Sequence, residues 1–176
     1  EIAKLSEKSG AKIPFIRSQK NSDDHAILPD VIEEVLSEYK KLGKYFDNIC
    51  CIMPTNPFLT SYILTDSFKK FKEGNGESMI AVKKISTPIE KTYELKNNML
   101  FPLFKYHFKT RTQDLKPKYS DAGSFFWVTM EAFNEYKRGI TDQTIPYILD
   151  ESQVQDIDNL DDWKLAELKY KILNYE

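Results

Sequence analysis

Apolar residues recur at helical spacing along much of this chain. The clearest stretch is 28–43, LPDVIEEVLSEYKKLG, where Ile32, Val35, Leu36 and Tyr39 repeat at i, i+3, i+4, i+7. Pro29 near its start and Gly43 at its end are ordinary helix signals. The same spacing predicts helices over 60–74 and 160–173, a short one over 131–139, and a helix end over 2–10 that stops at Gly10. Between them lie short apolar runs without helical spacing. NICCIM (48–53), SMIAVKKI (78–85) and SFFWVTM (124–130) predict strands, as do the shorter KIPFIR (12–17), TIPYIL (144–149) and QVQDI (153–157). KTYELKNNMLFPLF reads as two short strands around an Asn-Asn turn. SQKNSDDH (18–25) is polar and loop-like.

Strand and helix alternate, and the NICCIM run is apolar on both faces. That pattern predicts one α/β layered domain over 1–176 with a mainly parallel sheet, interrupted by one antiparallel hairpin. In such sheets ligands sit beyond the carboxyl ends of the strands. The loops RSQKNSDDH, PTNPFLT and QDIDN are therefore the first places to look for a site.

Composition narrows the partners. The chain has 25 basic and 27 acidic side chains and a net charge of −2, which argues against a nucleic-acid surface. No run of 18 apolar residues predicts a membrane helix. The two cysteines are neighbours, Cys50 and Cys51. On a strand they point to opposite faces, so they are expected to be reduced, consistent with a cytoplasmic protein. The chain opens on Glu1 rather than Met, which leaves room for an upstream segment.

Several short motifs carry possible chemistry. In QDIDN, Asn159 can cap the last helix with Asp162 in a capping box, which leaves Asp156 and Asp158 without a structural task. Period 2 puts both on one face of an extended segment, where they either sit in solvent or hold Mg²⁺ together with phosphate oxygens and water. PTNP (54–57) is either a plain turn or, with Thr55 and its amides, the wall of a nucleotide pocket. The long segment 110–123, TRTQDLKPKYSDAG, is either a solvated loop or a functional one, with Arg111 able to engage a carboxylate through two parallel hydrogen bonds. His25 and His107 read as surface or loop residues, and no P-loop, dinucleotide or Cys/His metal motif occurs.

Taken in order, SDDHA, MPTNPFLTSYILTDSFKKF, RTQDLKPKYSDAGSFFW and VQDIDNLDDWKLAELKY resemble the acylneuraminate (CMP-sialic acid) cytidylyltransferases, and within them the pseudaminic acid enzymes. The resemblance runs from about residue 2 to 173. It implies a Rossmann-like three-layer nucleotidyltransferase fold, a homodimer, and cytidylyl transfer from CTP to a nonulosonic acid with release of pyrophosphate. It implies Mg²⁺ on Asp156 and Asp158, with Asp158 also helping to deprotonate the sugar hydroxyl. It places Arg17, Ser22 and Asp24 around the cytidine, and Pro54 and Thr55 under the nucleotide and sugar. Arg111, Gln113, Asp121 and Gly123 fall in the sugar region, and about 86–118 is expected to form a sugar-binding and dimerisation insertion. Met53 stands where sialic acid enzymes often carry Gln, and YSDAG where they carry an RPNG-like piece, which favours a di-N-acylated sugar over N-acetylneuraminate. The family's opening strand with its ARxxSKR-type triphosphate loop, and the strand after it, have no counterpart here, so the expected sheet lacks its first strands. A non-catalytic nucleotide- or sugar-binding domain, or a sialic or legionaminic acid enzyme, are the alternatives.

Overall fold

A computed structural model of the chain describes residues 1–174. Its helices are α1 (Ile2–Lys8), α2 (Leu28–Lys41), α3 (Ser61–Glu73), α4 (Met130–Tyr136) and α5 (Leu160–Leu173). Its strands are β1 (Asn48–Ile52), β2 (Ser78–Lys84), β3 (Tyr93–Lys96), β4 (Met99–Pro102), β5 (Tyr119–Thr129) and β6 (Thr144–Leu149). The main sheet has the order β1-β5-β2-β6. Strands β1, β2 and β6 run in one sense and β5 runs against them, so only β2 and β6 pair in parallel.

The mainly parallel sheet expected from sequence is therefore a mixed one. The reason lies in the layers. Phe125 packs on the face covered by α3 with Ile63, Phe71 and Met79. Phe126 and Val128 pack on the opposite face, with Ile32 of α2 and Phe133 of α4. Helices cover both faces, so the central strand is apolar at successive positions whatever its direction. NICCIM, read as a strand buried on both faces, is only half-buried over Asn48–Cys51, and Ile52 is 47% exposed.

Local signals explain most of the elements. Thr60 caps α3, its Oγ1 accepting from the Ile63 amide at 3.2 Å, and Ser67 on the buried face accepts from Trp127 Nε1 at 3.0 Å. Helix α2 ends where Gly43 adopts φ +70°, the left-handed stop read from sequence. Helix α4 ends instead on Lys137 at φ +51°, and Gly139 lies against the Phe126 ring. The Asn-Asn turn is confirmed: Asn97 and Asn98 have φ of 49° and 59°, the primed geometry that closes β3 onto β4 in a two-stranded sheet of its own.

Two expected strands do not form. Residues 12–17 run as loop, with Phe15 edge-on to Tyr39 at 5.3 Å, since no described strand pairs with the outer edge of β1. Of residues 153–157, Gln153 ends a single 3₁₀ turn, Glu151–Gln153, and the rest continue unpaired, with Val154 as a buried plug.

The pairing of β2 with β5 slips at one point. Between Ile80↔Phe126 and Val82↔Asp121, β2 advances two residues while β5 advances five. The extra residues buckle out as a bulge around Gly123, whose φ is +59°.

Candidate active site at the carboxyl edge of the sheet

The shared direction of β1, β2 and β6 brings their carboxyl ends to one edge, and the antiparallel β5 begins at that edge. PTNP leaves β1 there, DAG opens β5 there, and QDID follows β6. The Met53 amide donates to the Ser124 carbonyl at 2.8 Å and links the first two. The bulge links the second and third. A Cβ added to Gly123 would lie 2.7 Å from Asp156 Oδ2 and 2.8 Å from its Cγ, so the Asp156 side chain rests directly on the glycine. Asp121 Oδ1 accepts from the Gly123 amide at 2.8 Å, which ties that carboxylate to holding the left-handed turn.

The capping reading of QDIDN is confirmed. Asn159 Oδ1 accepts from the amides of Asp161 and Asp162 at 2.9 and 3.0 Å, and Asp162 Oδ2 accepts from the Asn159 amide at 3.2 Å. Asp156 and Asp158 are left exposed and make no ion pair among the described residues. Among those residues no group of three or more His, Cys, Asp or Glu stands ready to hold a metal. Two free carboxylates spaced i, i+2 fit a hard divalent ion that takes its remaining ligands from phosphate and water. Behind them, Lys169 of α5 donates to the carbonyls of Val154 at 2.6 Å and Glu151 at 3.0 Å. Burial pushes its ammonium below the usual lysine range.

Around the β1 turn, Thr55 is half-buried and Pro54 exposed. Asn56 is 5% exposed, and its Oδ1 accepts from the Phe58 amide at 3.1 Å. Its Nδ2, like the Oγ of buried Ser124, has no hydrogen-bond partner. Pro57 and Phe58 also wall a largely apolar cleft of about 340 Å³ together with Ile157, Trp163 and Tyr170.

The segment with Arg17, Ser22 and Asp24 bonds within itself and to α2. Ser22 Oγ donates to the Ser18 carbonyl at 2.8 Å, and Arg17 and Asp24 are exposed. Its anchor is Glu34, whose carboxylate accepts from the Ser18 amide and hydroxyl and from Asn21 Nδ2. The Ser18 bonds hold Glu34 below the usual carboxylate range. A depressed carboxylate stabilises the loop above its ordinary pKa, and that contribution is lost as pH falls through the lowered value. The loop should thus stay anchored at neutral pH and loosen only in acid. Glu34→Ala should free it at pH 7, with tryptic cleavage after Arg17 and Lys20 roughly tenfold faster. Unchanged cleavage would show that Glu34 does not hold it.

In the 110–123 segment, Arg111 is engaged by Asp114 through Nε–Oδ2 at 2.7 Å and Nη2–Oδ1 at 3.0 Å. Its fork must open before it can take a substrate carboxylate. Gln113 lines a cleft of about 340 Å³ with Lys84, Ser86, Thr112, Lys116 and Lys118. Lys118 is paired to Glu90, whose carboxyl it holds low, whereas Lys84 and Lys116 have no acidic partner among the described residues. Sequence reasoning did not single out Lys84 or Ser86. The only signal for Lys84 was the charged end of an otherwise apolar strand.

No family model matches the chain. It is 31% identical over 177 residues to a pseudaminic acid cytidylyltransferase of Campylobacter jejuni serotype O:2, covering 100% of this chain and 76% of the relative. It is 30% identical, with the same coverage, to the pseudaminic acid cytidylyltransferase of C. jejuni serotype O:23/36. It is 25% identical over 179 residues to the CMP-N,N'-diacetyllegionaminic acid synthase of Legionella pneumophila, again covering 100% of this chain and 76% of that protein. With this identity over its whole length, the chain belongs to the family of bacterial CMP-sugar cytidylyltransferases that includes the pseudaminic and legionaminic acid enzymes.

Proposed function

We propose that the protein transfers the cytidylyl group of CTP to pseudaminic acid, releasing pyrophosphate, with Asp156 and Asp158 holding the Mg²⁺ of the reaction. The observation that carries the reading is the seating of Asp156 on the Gly123 bulge, which joins QDID to DAG at the carboxyl edge. Identity to two pseudaminic acid enzymes supports the choice of sugar.

In this reading the anomeric oxygen of the sugar attacks the α-phosphorus of CTP. The bond from that phosphorus to the bridging oxygen breaks, and pyrophosphate leaves. Bound Mg²⁺ supplies charge neutralisation at the phosphate and acidifies the attacking hydroxyl. Asp156 and Asp158 fix its place at the sheet edge, and an Asp158 oxygen takes the hydroxyl proton. The loop with Arg17, Ser22 and Asp24 faces cytidine, and Pro54 and Thr55 line the floor. Asp121 and Gly123 shape the sugar side. Arg111, once released from Asp114, or the Gln113 cleft takes the sugar carboxylate.

Residues 86–118 form the acceptor-side and dimer arm. The hairpin exposes Leu95, Met99 and Leu100 at 61–66%, and the turn after it exposes Tyr106 at 92%, an apolar surface that a second copy would cover. No helix among the described residues is long and apolar enough to cross a membrane, and the use of CTP points to the cytoplasm.

The test is pyrophosphate release from CTP and Mg²⁺ with pseudaminic, N,N'-diacetyllegionaminic or N-acetylneuraminic acid, alongside the mass in solution by light scattering. A dimer with its highest kcat/KM for pseudaminic acid is expected. CTP binding without turnover on any sugar would make it a binding domain. Preference for another sugar would overturn the substrate, and a monomer the arm.

A further inference from the structure

We propose that Asp162 is the positioning residue of the aspartate pair, beyond its role in capping α5. The inference rests on the proposed metal role of Asp156 and Asp158. A capping box asks only one bond of the Asp162 side chain, that from the Asn159 amide. Here the same oxygen, Asp162 Oδ2, also accepts from the Asp158 amide at 3.1 Å. Asp162 Oδ1 meets Gln155 Nε2 at 3.5 Å, and that Nε2 also donates to the Asp156 carbonyl at 3.2 Å. One carboxylate on the first turn of a helix thus grips the chain before Asp156 and at Asp158.

The anchor is firm because the helix itself is tied down. Lys169, farther along α5, holds the Val154 and Glu151 carbonyls. Residues 155–158 are therefore a short span between two fixings, both supplied by α5. Ile157 is half-buried between the two aspartates, and both carboxylates remain exposed. The span has no strand partner to set its shape, so side-chain bonds must do so. A ligand pair held this way keeps its spacing before the ion arrives, which is how hydrogen bonds behind the ligands raise metal affinity.

Mn²⁺ titrated into the protein and followed by water-proton relaxation tests this, with hydrogen exchange at the Asp158 amide as a second readout. Asp162→Ala should weaken Mn²⁺ binding about tenfold and speed exchange at Asp158. Asn159→Ala removes the cap from the Asp161 and Asp162 amides but leaves the Asp162 carboxylate in place. It should lower Tm to a similar extent while leaving Mn²⁺ affinity and the Asp158 amide near wild type. Asp162→Asn keeps an acceptor oxygen and should bind Mn²⁺ within about threefold of wild type. The proposal is overturned if Asp162→Ala weakens Mn²⁺ no more than Asn159→Ala does, since capping alone then explains it. It is equally overturned if Asp162→Asn is as weak as Asp162→Ala, since the charge would then be a metal ligand. Asp158→Asn separates this failure from that of the underlying reading: if it leaves Mn²⁺ affinity unchanged, the aspartate pair is not the metal site.

Discussion

Asp158→Asn should lower kcat about a thousandfold and leave the fold intact. A bound divalent ion contributes several kcal/mol to stabilising charge at a transferring phosphoryl group. Loss of about 4 kcal/mol of that is a factor of roughly 10³ in rate. On the proposed reading the pair has no third carboxylate beside it among the described residues, so one lost ligand would be half of the donors this stretch offers. The fold should be indifferent, because Asp158 is exposed and its structural bond comes from its backbone amide, which Asn retains. Stability should stay within about 0.5 kcal/mol of wild type. Raising Mg²⁺ should restore occupancy of the site but not the rate, since the ion would return to a misplaced seat. The measurement is pyrophosphate release against Mg²⁺ concentration, with a thermal melt alongside. Turnover within tenfold of wild type would remove Asp158 from the chemistry.

The sequence made this residue visible for a plain reason. Capping used Asn159 and Asp162, and the two aspartates left over had the spacing of one face. What it did not reveal is where that face points. The strand expected over 153–157 does not form, so period 2 does not by itself orient the two carboxylates. The edge where PTNP and QDID gather was legible, because β1, β2 and β6 do share a direction. The reversal of β5 was not. Its inner residues are apolar on both faces because α3 covers one and α2 and α4 the other, and that pattern carries no information about strand sense. The polar opening of β5, Tyr119 to Asp121, also hid the true length of the strand.

Charges were harder to read than apolar residues. Glu34 looks like any solvated residue on a helix, yet it holds the loop of Arg17 and Ser22. Arg111 looks free in sequence, and its neighbour Asp114 takes both prongs of its fork. These pairings depend on loop geometry rather than on periodicity, so no spacing rule exposes them. The register slip that lifts Gly123 toward Asp156 is equally silent. A glycine after Asp-Ala can close many turns, and only the pairing of β2 with β5 shows that this one is a bulge.

That bulge makes Gly123→Ala a sharp probe. Two costs arise, and they fall on different properties. Alanine at φ +59° is strained by about 1 kcal/mol. In a chain of this size that lowers Tm by roughly 2–4 °C. The second cost is steric. The new methyl would sit 2.7 Å from Asp156 Oδ2, 2.8 Å from Cγ and 3.3 Å from Cβ. Asp156 is exposed, so its side chain can swing away with little further loss of stability. Swinging away is what the proposed metal role of Asp156 would not tolerate. A displacement of about 1 Å at the reacting centre can cost a hundredfold in rate. Gly123→Ala should therefore melt within a few degrees of wild type while losing about a hundredfold in kcat and binding Mn²⁺ more weakly. A double-mutant cycle with Asp156→Ala isolates the cause. Once the Asp156 carboxylate is gone there is nothing left to displace, so Gly123→Ala should add little to the loss in that background. Equal penalties in both backgrounds would mean that the glycine serves only the turn, and that its contact with Asp156 has no part in catalysis.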